Sequence, residues 1–197
     1  MSNLSVRYGV IEGFVGPMAS GKSSELLKRV DPLRWIPGKS YIGFKPETDE
    51  RETHCRSTEN FIDWISIPSH NPEKIFDYVT QAHDLVAIDE SQFFEKGIVK
   101  TVLGLQKLMK NVVFAGLDSD FRGEPFGSMK ELMFYSNELK KLHAICNQCG
   151  DFAYYTQRLI EGKPANYESP IVSIEGKGKK EKYEPRCFKH HEVPGKK

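Results

Sequence analysis

The sequence predicts an α/β protein: a parallel sheet covered by helices on both faces, followed by a smaller unit of different character. Three observations carry this. Short, nearly continuous apolar runs alternate with stretches of helical character through the first two thirds of the 197 residues. The first of these runs enters a glycine-rich loop that opens into a helix. From about Leu142 the alternation stops, and cysteines, tyrosines, prolines and a lysine-rich stretch, Gly176 to Lys182, replace it. We therefore expect two domains, residues 1–141 and residues 142–197.

The run Gly9 to Val15, with Val10, Ile11, Phe14 and Val15, reads as a buried strand. It leads into Gly16-Pro17-Met18-Ala19-Ser20-Gly21-Lys22-Ser23, a complete match to the phosphate-cradling pattern G-x-x-x-x-G-K-[ST]. Gly16 and Gly21 permit a backbone curve that turns N–H groups toward phosphate oxygens. Lys22 would reach the β and γ phosphates, and the Ser23 hydroxyl would ligate magnesium. Ser23 to Val30 reads as the helix leaving the loop, and Pro32 stops it. A surface Gly/Ser/Lys turn matching by accident is the competing reading, disfavoured by a strand before and a helix after. The expected class is thus phosphate-loop NTPase-like, and the expected ligand is a nucleoside triphosphate.

Further strands are expected at Ser40 to Phe44, Trp64 to Ile67, Leu85 to Ile88 and Val112 to Leu117. Helices are expected at Pro72 to Thr80, opened by Asn71-Pro72, at Gly97 to Met109 and at Ser128 to Asn137. Ligands of such sheets gather at the carboxyl ends of the strands, so the loops after Val15, Ile88 and Leu117 should converge. The strand Leu85-Val86-Ala87-Ile88 runs straight into Asp89-Glu90, the acidic partner that a phosphate loop requires. Asp89 would hold the magnesium ion. Glu90 would act as a general base, making the protein an ATPase if it activates water and a kinase if it activates a substrate hydroxyl. An exposed acidic turn is the plain alternative.

Lys and Arg total 28 against 27 for Asp and Glu, which gives no reason to expect tight nonspecific binding to nucleic acid or membrane. No run of about 18 apolar residues is present to span a bilayer. The start MSNLSVRYGVIEGF lacks the order of a signal peptide, so a cytoplasmic protein is expected. Thiols stay reduced there, and clustered cysteines then point to metal. Cys146-x2-Cys149 and Cys187-x2-His190 supply three thiolates and an imidazole, a closed tetrahedral set for structural zinc. A redox C-x-x-C would not need the second pair, and His191 competes with His190 for the fourth position. Cys55 stands alone, and His54, His70, His83 and His143 have no ligand-like spacing.

With these parts in this order the chain resembles the thymidine kinases of the cellular and bacterial type. The resemblance rests on Phe14-Val15-Gly16-Pro17-Met18 through Ser24-Glu25-Leu26, and on Asp89-Glu90-Ser91-Gln92-Phe93-Phe94. It continues in Leu117-Asp118 through Phe121-Arg122-Gly123-Glu124-Pro125-Phe126-Gly127, and in Tyr155-Thr156-Gln157-Arg158. It implies a phosphate-loop α/β domain and a small zinc domain carrying a lasso-like loop over a nucleoside. Glu90 would then take the proton of the 5′-hydroxyl of thymidine as that oxygen attacks the γ phosphorus of ATP. Lys22, magnesium and Arg51 would supply positive charge. Arg51 follows Asp49 as in the family's D-x-R word, but the segment Glu47 to Asn60 departs from the family pattern, and a surface arginine is the equal alternative. The resemblance further implies an apolar slot for the base from Phe93, Leu117, Phe121, Phe126 and Tyr183, with Met18 and Thr156 near the thymine 5-methyl. Val172 and Ile174 would pack against the base from the lasso, within about Ile171 to Tyr183. Ordinary core packing is the alternative for each aromatic. By the same resemblance the partners are ATP and thymidine, with deoxyuridine as a further acceptor, a homotetramer and feedback inhibition by thymidine triphosphate.

Rival functions follow from the same residues. A phosphate-loop ATPase could grip nucleic acid through a zinc ribbon, stacking bases on Tyr154, Tyr155, Tyr167 or Tyr183, but the near-neutral charge opposes it. A nucleotide acceptor would ask for a further basic cluster, and none is identified. A scaffold that binds nucleotide without turnover would not need Lys22, Ser23, Asp89 and Glu90 together.

Overall fold

The computed structural model describes residues 8–47, 62–172 and 180–196. Six parallel strands form the main sheet: β1 (Ile11–Val15), β2 (Tyr41–Pro46), β3 (Trp64–Ile67), β4 (Leu85–Ile88), β5 (Asn111–Gly116) and β6 (Glu138–Lys141), in the order β3-β2-β4-β5-β1-β6. Among the described residues four α-helices connect or flank them: α1 (Lys22–Val30), α2 (Ile75–Tyr78), α3 (Gly97–Lys107) and α4 (Met129–Tyr135).

Strand alternation sorts the apolar side chains onto two faces. On one face Phe14, Leu85, Ala87, Val113 and Ala115 pack against Leu26, Leu27 and Val30 of α1. On the other, Ile11, Val15, Val86, Ile88, Val112 and Phe114 meet Ile98, Val102 and Leu105 of α3 and Met129 and Leu132 of α4. Both faces are thus covered, and strands buried on both sides are continuously apolar. In α3 the buried positions Ile98, Thr101, Val102 and Leu105 recur at helical spacing. In α1 the acidic Glu25 sits in the first turn and Lys28 and Arg29 in the last, complementing the helix dipole.

The expected strands are all present with ends shifted by a residue or two. Three differences stand out. The stretch Pro72 to Thr80 is a 3-10 turn over Pro72–Lys74 followed by the single-turn α2, and it ends at the β-branched Val79, whose backbone is extended. The stretch to Asn137 ends early, because the Asn137 side chain leaves the helix and accepts the Ile11 N–H at 2.8 Å. The chain then continues as β6, whose four residues are all exposed and which pairs with β1 from Glu12↔Glu138 to Val15↔Lys141.

After Leu142 the chain forms a short hairpin, β7 (Ala144–Ile145) with β8 (Phe152–Ala153), and an antiparallel sheet in which β9 (Tyr155–Ile160) lies between β10 (Lys163–Pro164) and β11 (Glu181–Arg186). Its small core is Ala144, Cys146, Ala153 and Cys187. Among the described residues, no helix is long and apolar enough to cross a membrane.

Candidate active site

The strand order puts β4, β5 and β1 side by side, so the loops leaving their carboxyl ends meet. After β1, Gly16 and Gly21 carry φ of 149° and 82°, and Ala19 between them also turns left-handed at 59°. A Cβ on Gly16 would stand 2.5 Å from the Leu142 carbonyl oxygen, so the loop passes the end of β6 where only glycine fits. Ser20 Oγ and Lys22 Nζ both donate to the Pro17 carbonyl, at 2.8 and 2.7 Å. The Met18 N–H donates to Thr156 Oγ1 at 3.0 Å, joining the loop to β9.

After β4, Asp89 accepts the N–H of Glu90 at 2.9 Å and a hydrogen bond from Ser23. Burial, and then the neighbouring Glu90 carboxylate, push Asp89 up to about 7 against the pull of the Glu90 N–H, Ser23 and Lys22. A half-buried carboxylate and a hydroxyl facing each other beside a lysine are the oxygen donors a small divalent cation takes, so these residues fit magnesium. Glu90 itself is left-handed, with φ of 49°, and one of its oxygens accepts from Gln92 Nε2. After β5, the Leu117 N–H donates to Gln92 Oε1 at 3.0 Å. Lys141, at the end of β6, pairs with Asp118 Oδ2 at 2.8 Å, so the pair links the ends of the two strands that flank β1.

Beside these loops lies a narrow cleft lined by Met18, Phe93, Leu117, Phe121, Phe126, Thr156 and Tyr183, with Ser119, Asp120 and Ile171. Seven of the residues singled out for the base therefore come together. Phe93 and Phe126 meet edge to face at 5.5 Å. Val172 is 46% exposed and is absent from the lining, where Ile171 stands instead. Arg51, Ile174, Cys55 and His54 lie outside the described residues.

Sequence reasoning missed Asp120, Ser119, Ile171 and the polar frame beneath the cleft. Asp120 Oδ1 accepts the N–H groups of Arg122 and Glu124 at 2.8 and 3.1 Å, building the turn that presents Phe121. The buried Arg158 donates to both carboxylate oxygens of Glu181 and to the Pro170 carbonyl, with its guanidinium 5.5 Å from the Phe121 ring and 5.9 Å from that of Tyr183. An aspartate followed three residues later by a glycine was the one local signal for the turn; the partners of Arg158 are too distant in sequence to be read.

Cys146 and Cys149 lie in the turn between β7 and β8, and Cys187 and His190 follow β11. Their ligand atoms all lie within 4.8 Å of one another. Zinc bonds of about 2.3 Å to sulfur and 2.0 Å to nitrogen put tetrahedral sulfurs about 3.8 Å apart and sulfur and nitrogen about 3.5 Å apart. The separations here are 3.7 Å for Cys149 to Cys187, 3.7 Å for Cys146 to His190 and 3.3 Å for Cys187 to His190. Burial raises the Cys146 thiol, but the backbone N–H groups of Cys187, Gln148 and Cys149, with His190, outweigh it and bring it down to about 5. The four residues fit zinc. His191 is engaged elsewhere, donating to the Phe121 carbonyl at 2.8 Å and stacking on Tyr155 at 4.6 Å.

The family model described as thymidine kinase matches residues 9–191. A thymidine kinase of Coprothermobacter proteolyticus is 42% identical over 189 residues, 95% of this chain and 93% of that protein. Among solved structures, domain III of the Thermotoga maritima replication initiation protein DnaA has a TM-score of 0.45 at 15% identity, over 71% of this chain and 56% of that one. The flagellar accessory protein FlaH of Methanocaldococcus jannaschii has 0.49 at 11%, over 78% and 77%. At that distance the two structures say nothing of function.

Proposed function

The chain belongs to the thymidine kinase family, and from that premise we propose how its own residues transfer the γ-phosphate of ATP to the 5′-hydroxyl of thymidine. The observation that supports the assignment of roles is the meeting, at one end of the sheet, of the phosphate loop, the Asp89-Glu90 pair and an apolar cleft. Backbone N–H groups of Gly16 to Ser23 cradle the phosphates, and Lys22 exchanges the Pro17 carbonyl for phosphate oxygens. Ser23 and Asp89 would hold magnesium, which when bound would supply neutralisation of phosphate charge. Glu90 accepts the proton of the 5′-hydroxyl. In a loose phosphoryl-transfer transition state that oxygen needs a well-aimed acceptor more than full deprotonation.

Thymine lies in the cleft between Phe93, Leu117, Phe121, Phe126 and Tyr183, its 5-methyl toward Met18 and Thr156. The apolar walls bury the faces of the base. Deoxyuridine, lacking only that methyl, is a second acceptor. Val172, and Arg51 and Ile174 outside the described residues, keep their roles by family resemblance alone. So do cytoplasmic localisation, a homotetramer and inhibition by thymidine triphosphate. Residues 142–197 form the zinc domain of this proposal, with Cys146, Cys149, Cys187 and His190 holding a structural ion, and residues 1–141 form the nucleotide-binding domain.

The test is turnover with ATP and magnesium against thymidine, deoxyuridine, deoxycytidine and single-stranded DNA, following ADP and nucleoside monophosphate together. Thymidine-dependent ADP matched by thymidine monophosphate is expected. ADP released on addition of DNA, with no nucleoside product, would replace the kinase by a nucleic-acid-dependent ATPase.

A further inference from the structure

Glu90 cannot aim itself. It is the second residue beyond β4, in a left-handed conformation, with a flexible side chain, and it is only half-buried. A carboxylate so placed samples several rotamers unless something holds it, and phosphoryl transfer leaves little besides positioning for the protein to supply. Among the described residues, the hydrogen bond to its carboxylate comes from Gln92, whose Nε2 donates to Glu90 Oε2 at 2.5 Å.

Gln92 is 2% exposed, and its amide has no freedom to turn around. Oε1 accepts the Leu117 N–H at 3.0 Å. Flipping the amide would set N–H against N–H at Leu117 and oxygen against carboxylate oxygen at Glu90, so both contacts require the same orientation. The floor beneath is built for this side chain. A Cβ on Gly116 would stand 2.7 Å from Gln92 Oε1 and 2.9 Å from the Met129 methyl, and a Cβ on Gly127 would stand 2.5 Å from the Gln92 carbonyl oxygen. Leu117 in turn lines the cleft. One buried amide thus connects the carboxylate to the wall of the base slot.

We propose that Gln92 is a positioning residue for Glu90: it anchors one carboxylate oxygen to the backbone of Leu117 and leaves the other free to receive the 5′-hydroxyl proton. The assignment rests on the reading of Glu90 as the base. Because the same amide is tied to the base slot, the carboxylate keeps its register to the seated nucleoside rather than to β4 alone.

The test is a double-mutant cycle on the full chain, with kcat, the KM for thymidine and for ATP, thymidine binding and melting temperature measured for each variant. Gln92→Met keeps the length and removes both hydrogen bonds. Gln92→Glu keeps the volume and an acceptor for the Leu117 N–H while removing the amide donor, and serves if the methionine variant does not fold. Either should lower kcat on the order of 10- to 100-fold with both KM values and thymidine binding within about threefold. Placed in Glu90→Gln, either should cost less than about twofold more, because the group being aimed is already gone. Full kcat in both Gln92 variants, beside an impaired Glu90→Gln, would overturn the inference and leave Glu90 as the base. Equal losses in both backgrounds would also overturn it, since Gln92 would then act independently of Glu90. Undiminished turnover in Glu90→Gln would remove the base assignment itself, and the inference with it.

Discussion

At the scale of single residues, function depends on a few side chains held where general propensity would not put them. Glu90 accepts a left-handed conformation to turn its carboxylate off the strand axis. Removing its charge with Glu90→Gln should lower kcat by about 10²- to 10⁴-fold with thymidine affinity nearly intact. Thr156 offers another test, since its buried hydroxyl accepts the Met18 N–H of the phosphate loop at 3.0 Å and also lines the cleft. Thr156→Val leaves that N–H without its acceptor. We expect a cost of about 1–3 kcal/mol, shared between stability and binding, with KM rising for ATP and thymidine together. A rise confined to one substrate would show that the contact does not couple the two sites. The phosphate loop, Asp89 and Glu90 were legible in the sequence because each motif is local and carries its own chemistry. Gln92 and Arg158 were legible only as parts of a family word, because their partners lie 25 residues away at Leu117 and 23 away at Glu181.

At the scale of elements, the sheet was legible wherever a strand is buried on both faces. The β4 run Leu85 to Ile88 could hardly be anything else, with all four residues buried. The β6 strand was hidden because Glu138, Leu139, Lys140 and Lys141 are exposed, and pairing with β1 rather than apolar pattern makes them a strand. Of the strands after Leu142, β7, β8 and β10 escaped because each has 2 residues, and β9 and β11 because buried polar residues, Gln157, Arg158, Glu184 and Arg186, interrupt any apolar pattern. Polar side chains also fix strand register at the far end of the sheet from the site. Asp84 accepts from Lys39 at 2.8 Å and from the Ser40 N–H at 3.0 Å, just before β2 and β4 begin to pair. The hydrogen bond from Lys39, with that from Ser40, holds the Asp84 carboxyl below its ordinary value against the opposing effect of burial. A depressed carboxylate contributes stability that is present above its unfolded pKa and lost as pH falls through the lower folded value. Asp84→Asn should therefore cost about 1 kcal/mol near neutral pH, and the difference from the parent should shrink as pH falls through the depressed folded value. Chemical denaturation at pH 7 and at pH 3 would check this; an equal loss at both would assign the effect to packing.

At the scale of the molecule, the sheet and the C-terminal elements share the cleft, and several hydrogen bonds join them besides Thr156 to Met18. His191 donates to the Phe121 carbonyl, Arg122 to the Ser169 carbonyl at 2.8 Å, and Tyr167 to Glu124 at 2.9 Å. The Cys/His group lies at the root of this arrangement, with His190 beside His191 in the chain. Cys146→Ser should lower bound zinc below one ion per chain, lower the melting temperature, and raise the KM for thymidine more than that for ATP. A variant that retains one zinc per chain would show that the ligands are other residues. The change in composition at Leu142 coincides with the passage from the parallel six-stranded sheet to short antiparallel sheets. The cleft they share was legible only through the family resemblance, and the hydrogen bonds around it were not, because they join residues 43 to 70 positions apart.

The measurement that bears most directly on the whole account is transfer of label from γ-labelled ATP, followed in the parent and in Glu90→Gln side by side, with thymidine binding measured on both. The account predicts labelled thymidine 5′-monophosphate from the parent, at least about 100-fold less from the variant, and equal thymidine binding. Label appearing as inorganic phosphate, or a variant as fast as its parent, would contradict it.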